Sequence, residues 1–122
     1  MIAVNSHQVL IVDDNLNYAE NIAEILQIDG HTTRVAASAE EAFPDALGEE
    51  PDVIVTDYRL PGVNGAAFIK WFRETHTHVR AMVISAYTDT RTIDAATDAG
   101  ATFMAKPLDF DLLGRWVRGS SA

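Results

Sequence analysis

Short apolar runs alternate with longer amphipathic stretches along the whole chain. Residues 9–12, Val-Leu-Ile-Val, are continuous and largely β-branched, the pattern of a strand covered on both faces. Over 15–29, Leu16, Ala19, Ile22, Ala23 and Leu26 recur at helical spacing, and Gly30 stands where a helix ends. Residues 32–36 form a weaker strand. Ser38 followed by Glu41 is a capping box, opening a helix that ends near Gly48. A buried strand is predicted over 52–56, and the turn-rich Leu60-Pro61-Gly62-Val63-Asn64-Gly65 leads to a helix with Phe68, Ile69 and Phe72 inward. Residues 79–84 read as a strand, 88–99 as an Ala- and Thr-rich helix closed by Gly100, and 101–105 as the last strand. Asp109 caps a final helix carrying Leu112, Leu113, Trp116 and Val117.

Strict alternation of five strands with five helices predicts a parallel sheet covered by helices on both faces, since parallel neighbours need right-handed crossovers. The expected architecture is a single doubly wound α/β domain with strand order 2-1-3-4-5. An eight-unit barrel needs about twice this length. The 122 residues are read as one domain, 1–122, with a core over about 7–118 and a tail or linker start at 119–122. In such sheets ligands bind beyond the carboxyl ends of the strands, where the strand order reverses. Here that point lies between strands one and three.

Composition narrows the chemistry. Eighteen acidic residues against nine basic ones give a net charge of −9, which disfavours direct nucleic-acid binding and anionic membranes. Without cysteine, disulfides, thiol catalysis and thiolate metal sites are excluded. The longest apolar run is four residues, too short to span a membrane, and MIAVNSHQ carries no secretion signal. A cytoplasmic location is expected.

Polar residues end four of the predicted strands: Asp13-Asp14 the first, Asp57 the third, Ser85 the fourth and Lys106-Pro107 the fifth. Singly, an aspartate after a strand is ordinarily a turn or helix cap, and Lys-Pro a loop. Together, at ends that the topology sets side by side, they make a site. Three carboxylates and one ammonium sum to −2, and like charges about 4 Å apart repel by roughly 4 kcal/mol at an effective dielectric near 20. A divalent cation relieves this, and all-oxygen ligands open to water favour Mg²⁺, with Mn²⁺ as the alternative. The ion, Lys106 and the Ser85 hydroxyl could then hold a phosphoryl group on Asp57, the candidate nucleophile. No GxxxxGK[ST] or GxGxxG loop occurs, so the phosphoryl group must come from a donor rather than a bound nucleotide.

VLIVDD (9–14), TDYRLPGVNG (56–65), VISA (83–86) and FMAKP (103–107) stand in the order and spacing of one family. Over essentially its whole length the chain resembles the receiver domain of two-component response regulators. The resemblance implies a flavodoxin-like (βα)5 fold and a phosphoacceptor Asp57, charged by a histidine kinase, a phosphotransfer protein or a small donor such as acetyl phosphate. It implies that Asp14 binds Mg²⁺ directly and Asp13 through water, with Asp57 and the backbone carbonyl of Arg59 completing the ligands. Lys106 would contact the phosphoryl group, and the Lys106–Pro107 bond would be cis. The family's switch pair falls on Ser85 and Phe103. Many relatives carry Tyr at the latter position, and Phe has no hydroxyl, so coupling here would rest on packing. Ala101, Phe103 and Ala105 share one strand face, leaving small neighbours beside the ring.

By the same resemblance the output surface is the fourth helix, fifth strand and fifth helix, facing an output domain or downstream protein. The low helix propensity of 88–99 suits a segment that shifts cheaply. Asn15, Asn17, Tyr18 and Asn21, with the Pro107 loop, form the expected kinase-docking face, and dimerisation on phosphorylation is a further expectation. Arg59 and Tyr87 flank the site and are expected to shield it from water, whereas Ala86 keeps access open.

The domain is not read as an enzyme acting on external substrates. A phosphatase of the haloacid-dehalogenase type would need a second aspartate where Arg59 stands, and a never-phosphorylated module fits poorly with five occupied site positions. His76 and His78 lack a third ligand and read as a solvated turn. Trp71 and Trp116 read as packing, and Glu40, Glu41, Glu49 and Glu50 as a solvated face.

Overall fold

The computed structural model describes residues 6–48 and 50–119, with side chains throughout except at 44–48. The remaining tail positions and Glu49 lie outside the described residues. Ten elements alternate: β1 (Gln8–Val12), α1 (Leu16–Ile28), β2 (Thr32–Ala36), α2 (Ala39–Gly48), β3 (Val53–Asp57), α3 (Gly65–Phe72), β4 (Arg80–Ser85), α4 (Thr90–Asp98), β5 (Thr102–Ala105) and α5 (Phe110–Arg118). All strands pair in parallel, in the order β2-β1-β3-β4-β5. This is the doubly wound, flavodoxin-like arrangement expected from the sequence, with its switch point between β1 and β3.

Successive strand residues face opposite sides, so a strand covered on both sides must be apolar throughout. Leu10, Val12, Ile54, Ala81 and Val83 pack with Ala39, Ala66, Phe68, Ile69, Phe72 and Ala96 from α2, α3 and α4. Val9, Ile11, Val53, Val55, Met82 and Ile84 pack with Ala19, Ile22, Leu26, Leu113 and Val117 from α1 and α5. The edge strands β2 and β5 are only partly buried, and for β2 this matches its weaker sequence signal.

Helix starts follow local hydrogen bonds. The Ser38 hydroxyl accepts the Glu41 amide at 3.1 Å, as the capping box requires. The Asn64 side chain accepts the Ala67 amide at 2.8 Å. Several expected boundaries moved by a residue or two: β1 begins at Gln8, β3 runs Val53–Asp57, β4 runs Arg80–Ser85, β5 begins at Thr102, and α4 begins at Thr90. At α4 the reason is Asp89, whose carboxylate accepts the Thr92 hydroxyl at 2.9 Å and caps the helix. Leu16 and Leu112, counted in the apolar pattern, are exposed at 47% and 45%. Leu16 is the first residue of α1, ahead of its buried stripe, and the inward stripe of α5 is Leu113, Gly114 and Val117.

Candidate functional site

The alternation that builds the two core layers also aims the site. Asp13 continues Val9 and Ile11, Asp57 continues Val53 and Val55, and Lys106 follows Met104, all on the α1–α5 side. Ser85 continues Ala81 and Val83 on the opposite side, where Phe103 also packs. The charged groups and the proposed switch pair thus issue from opposite faces of one sheet edge.

Asp13, Asp14 and Asp57 each present a carboxylate oxygen, and these atoms lie within 4.8 Å of one another. Lys106 Nζ stands 3.2 Å from Asp13 Oδ2 and 3.4 Å from Asp57 Oδ2. Asp13 is fully buried, Asp57 nearly so, and Asp14 exposed. Burial, helped by the neighbouring Asp13, pushes the Asp57 carboxyl above its ordinary range, and Lys106 only partly offsets this. Burial alone would lower Lys106, but Asp57 and Asp13 outweigh it and hold the ammonium above its usual value. Like charges are crowded here and incompletely neutralised. The donors are all hard oxygens, one acid remains solvent-facing, and so the residues present fit a divalent cation such as Mg²⁺.

Asp13 also performs the bland role of a strand-end aspartate. Its Oδ1 accepts the Asn15 amide at 2.9 Å while Oδ2 faces Lys106. Both oxygens are thus engaged. The Ser85 hydroxyl oxygen accepts the Tyr87 amide at 2.9 Å, and the residue is fully buried. Arg59 lies over the Tyr87 ring, Cζ 4.2 Å from its centroid, so the two rim residues meet. The Lys106–Pro107 bond is cis. Phe103 is half-buried against the layer that contains Val83, Ala96 and Ala99.

The backbone frame of the pocket is laced across strands. The Tyr58 amide donates to Ile84 O at 2.8 Å, and the Lys106 amide to Ser85 O at 2.9 Å. Two contributors escaped the sequence reading. A Cβ on Gly65 would stand 2.1 Å from the Asp57 carbonyl oxygen, so glycine is required where α3 starts against the end of β3. The close succession of Gly62 and Gly65 in the turn motif was the only available signal. Tyr18, read as docking surface, places its ring under Lys106, 4.6 Å from Nζ.

Other sequence candidates stay apart from this cluster. His76 contacts Glu50 at 3.2 Å and stacks on Phe72, while His78 is exposed. Among the described residues the three aspartates are the only group of acids and histidines arranged to hold a metal. Trp116 packs under Arg80, and Trp71, 40% exposed, meets Phe43. No helix among the described residues is long and apolar enough to cross a membrane.

Residues 9–118 match the family model described as the response regulator receiver domain. The chain is 29% identical over 107 residues to sporulation initiation phosphotransferase F of Bacillus subtilis, covering 87% of this chain and 86% of that protein. It is 30% identical over 119 residues to the regulatory protein AtoC of Escherichia coli, covering 97% of this chain but 25% of that longer protein. A crystal structure of a CheY-like response regulator receiver domain protein from Methanospirillum hungatei superposes with a TM-score of 0.87 at 21% identity, over 92% of this chain and 90% of that one. That structure speaks for the fold, and the family match for the role. The chain belongs to the response regulator receiver domains, the phosphoacceptor modules of two-component signalling.

Proposed function

We propose that Asp57 is the phosphoacceptor, with Asp14, Asp57 and the backbone carbonyl of Arg59 binding Mg²⁺ directly and Asp13 through water. The observation that carries this is the carboxylate cluster within 4.8 Å, together with Lys106 spanning Asp13 and Asp57. Bound there, Mg²⁺ would offset the carboxylate charge and that of the incoming phosphoryl oxygens, and Mn²⁺ suits the same donors. An Asp57 oxygen attacks the phosphorus of a phosphohistidine. A P–O bond forms as the P–N bond breaks, and the departing imidazole keeps the electron pair and takes up a proton. Lys106 stays within reach to balance charge on the transferred group.

The Ser85 hydroxyl oxygen is occupied by the Tyr87 amide, but its hydrogen remains available to a phosphoryl oxygen. Turning towards that oxygen frees space on the side where Phe103 packs, and the ring follows. The output face is α4, β5 and α5, and its reader is an output domain or a downstream protein. Receiver domains pair with histidine kinases or phosphotransfer proteins. Here the donor docks on α1, around Asn15, Asn17, Tyr18 and Asn21, and on the Pro107 loop. The domain assists only its own phosphorylation and dephosphorylation, and works in the cytoplasm as a unit spanning about 7–118. It does not bind nucleic acid or a membrane directly, and phosphorylation favours dimerisation.

Mass spectrometry after incubation with acetyl phosphate and Mg²⁺ tests the assignment. One added phosphoryl group is expected, and none in Asp57→Asn. Labelling that survives this substitution would refute it.

A further inference from the structure

The contact between Tyr18 and Lys106 closes a circuit of four residues. Asp13 Oδ1 accepts the Asn15 amide at 2.9 Å, and the Asn15 side chain accepts the Tyr18 amide at 3.2 Å. The Tyr18 ring then meets Lys106 Nζ at 4.6 Å, and Lys106 returns to Asp13 Oδ2 at 3.2 Å. The Tyr18 hydroxyl also accepts the Leu108 amide at 3.3 Å, fastening the backbone beyond Pro107 to α1.

We propose that Tyr18 is a positioning residue for Lys106 in phosphoryl transfer, its ring supporting the ammonium while its hydroxyl fixes the strand-end loop that carries it. This inference rests on the phosphoacceptor assignment of Asp57.

The physical argument concerns charge and direction. A lysine ammonium is a point charge on a flexible four-carbon stem. Two carboxylates attract it but leave its position along the pocket free. A third carboxylate would fix it, yet would add negative charge where a phosphoryl group must enter. The face of an aromatic ring attracts the cation and adds no net charge. Packing alone needs neither the ring under Nζ nor the phenol oxygen on Leu108, since a leucine at this position of α1 would fill the same layer. Tyr18 lies at the same time on the proposed docking face, so a donor pressing on α1 bears directly on the residue that sets Lys106.

The test compares wild type with Tyr18→Phe and Tyr18→Leu. With acetyl phosphate and Mg²⁺, Tyr18→Leu is expected to slow phosphorylation about fivefold, the size of one cation–π contact expressed as a rate. Tyr18→Phe, which keeps the ring, is expected to recover most of that loss. In NMR spectra of the metal-free protein, the Lys106 ε-protons of wild type and Tyr18→Phe should show an upfield ring-current shift that Tyr18→Leu lacks. A folded Tyr18→Leu that labels at the wild-type rate overturns the proposal. So do ordinary lysine ε-proton shifts in wild type, an outcome that needs no variant to fold. Absence of any adduct on wild type would instead defeat the phosphoacceptor assignment, leaving the NMR comparison to judge Tyr18 separately.

Discussion

Asp57 is held in the fold in a state that favours its proton. Its carboxyl is raised mainly by burial and then by Asp13, against an ordinary value of about 4. For an acid raised on folding, ionisation costs stability: as pH rises through the ordinary value the unfolded chain releases its proton first, and the folded state weakens until Asp57 also ionises. Metal-free Asp57→Asn is therefore expected to melt higher than wild type at pH 7, with the difference closing below about pH 4. Calorimetric scans in a chelator across that range measure it, and equal melting temperatures at pH 7 would contradict it. Arg59 stacks on Tyr87, and we propose that the pair shields the acyl phosphate from water. Replacing both with alanine is expected to speed loss of the phosphoryl group several-fold, about 1 kcal/mol of barrier. A phosphate-release assay would show it, and an unchanged rate would remove the shielding role.

At the scale of elements, the entry to α3 separates two kinds of residue. Asn64 is a cap and Gly65 a spacer, one residue apart. Asn64→Ala should cost about 1 kcal/mol in urea unfolding and leave Asp57 labelling intact. Gly65→Ala drives a methyl group against the Asp57 carbonyl. It should cost about 1–3 kcal/mol and also slow labelling, because the displaced backbone carries the acceptor. If the two variants behaved alike, the spacer argument would fail. The elements themselves were legible in sequence, because the buried strands are continuous apolar runs and the caps are local. The start of α4 was not: Asp89 lies inside the stretch read as helix, and its carboxylate caps the helix by accepting the Thr92 amide and hydroxyl. Leu112 misled because helical spacing marks a stripe without saying which neighbouring column faces inward. The meeting of Asp13, Asp14, Asp57 and Lys106 was readable because each lies at a strand end and topology brings strand ends together. The bond from the Leu108 amide to Tyr18 joins residues 90 positions apart, and no periodicity announces such a contact.

Across the whole molecule, charged groups concentrate at both edges of the sheet. Three aspartates and Lys106 meet where strands end. At the other edge Arg80 donates to the carbonyls of Trp116 and Val117 at the end of α5, and Arg73, at the end of α3, donates to Val79 O. Helix C-termini carry partial negative charge, and guanidinium groups there complement it. With a net charge of −9, any salt relieves some self-repulsion, so a metal effect must be read against an ionic-strength control. Mg²⁺ at about 100 times its Kd should stabilise the domain by about 2.7 kcal/mol beyond NaCl of equal ionic strength. Asp14→Asn should lose most of that increment in a thermal-shift titration, and an undiminished increment would place the ion elsewhere.

The backbone bonds from Tyr58 to Ile84 and from Lys106 to Ser85 clamp β3, β4 and β5 to one another beside the pocket. Shear of β4 against β3 would break the first bond and shear against β5 the second, whereas rotation about a side-chain bond breaks neither. On the switch proposed above, a ring turning at this edge would move against backbone tied by these two bonds, and its reach would be set by whichever neighbour it can lever.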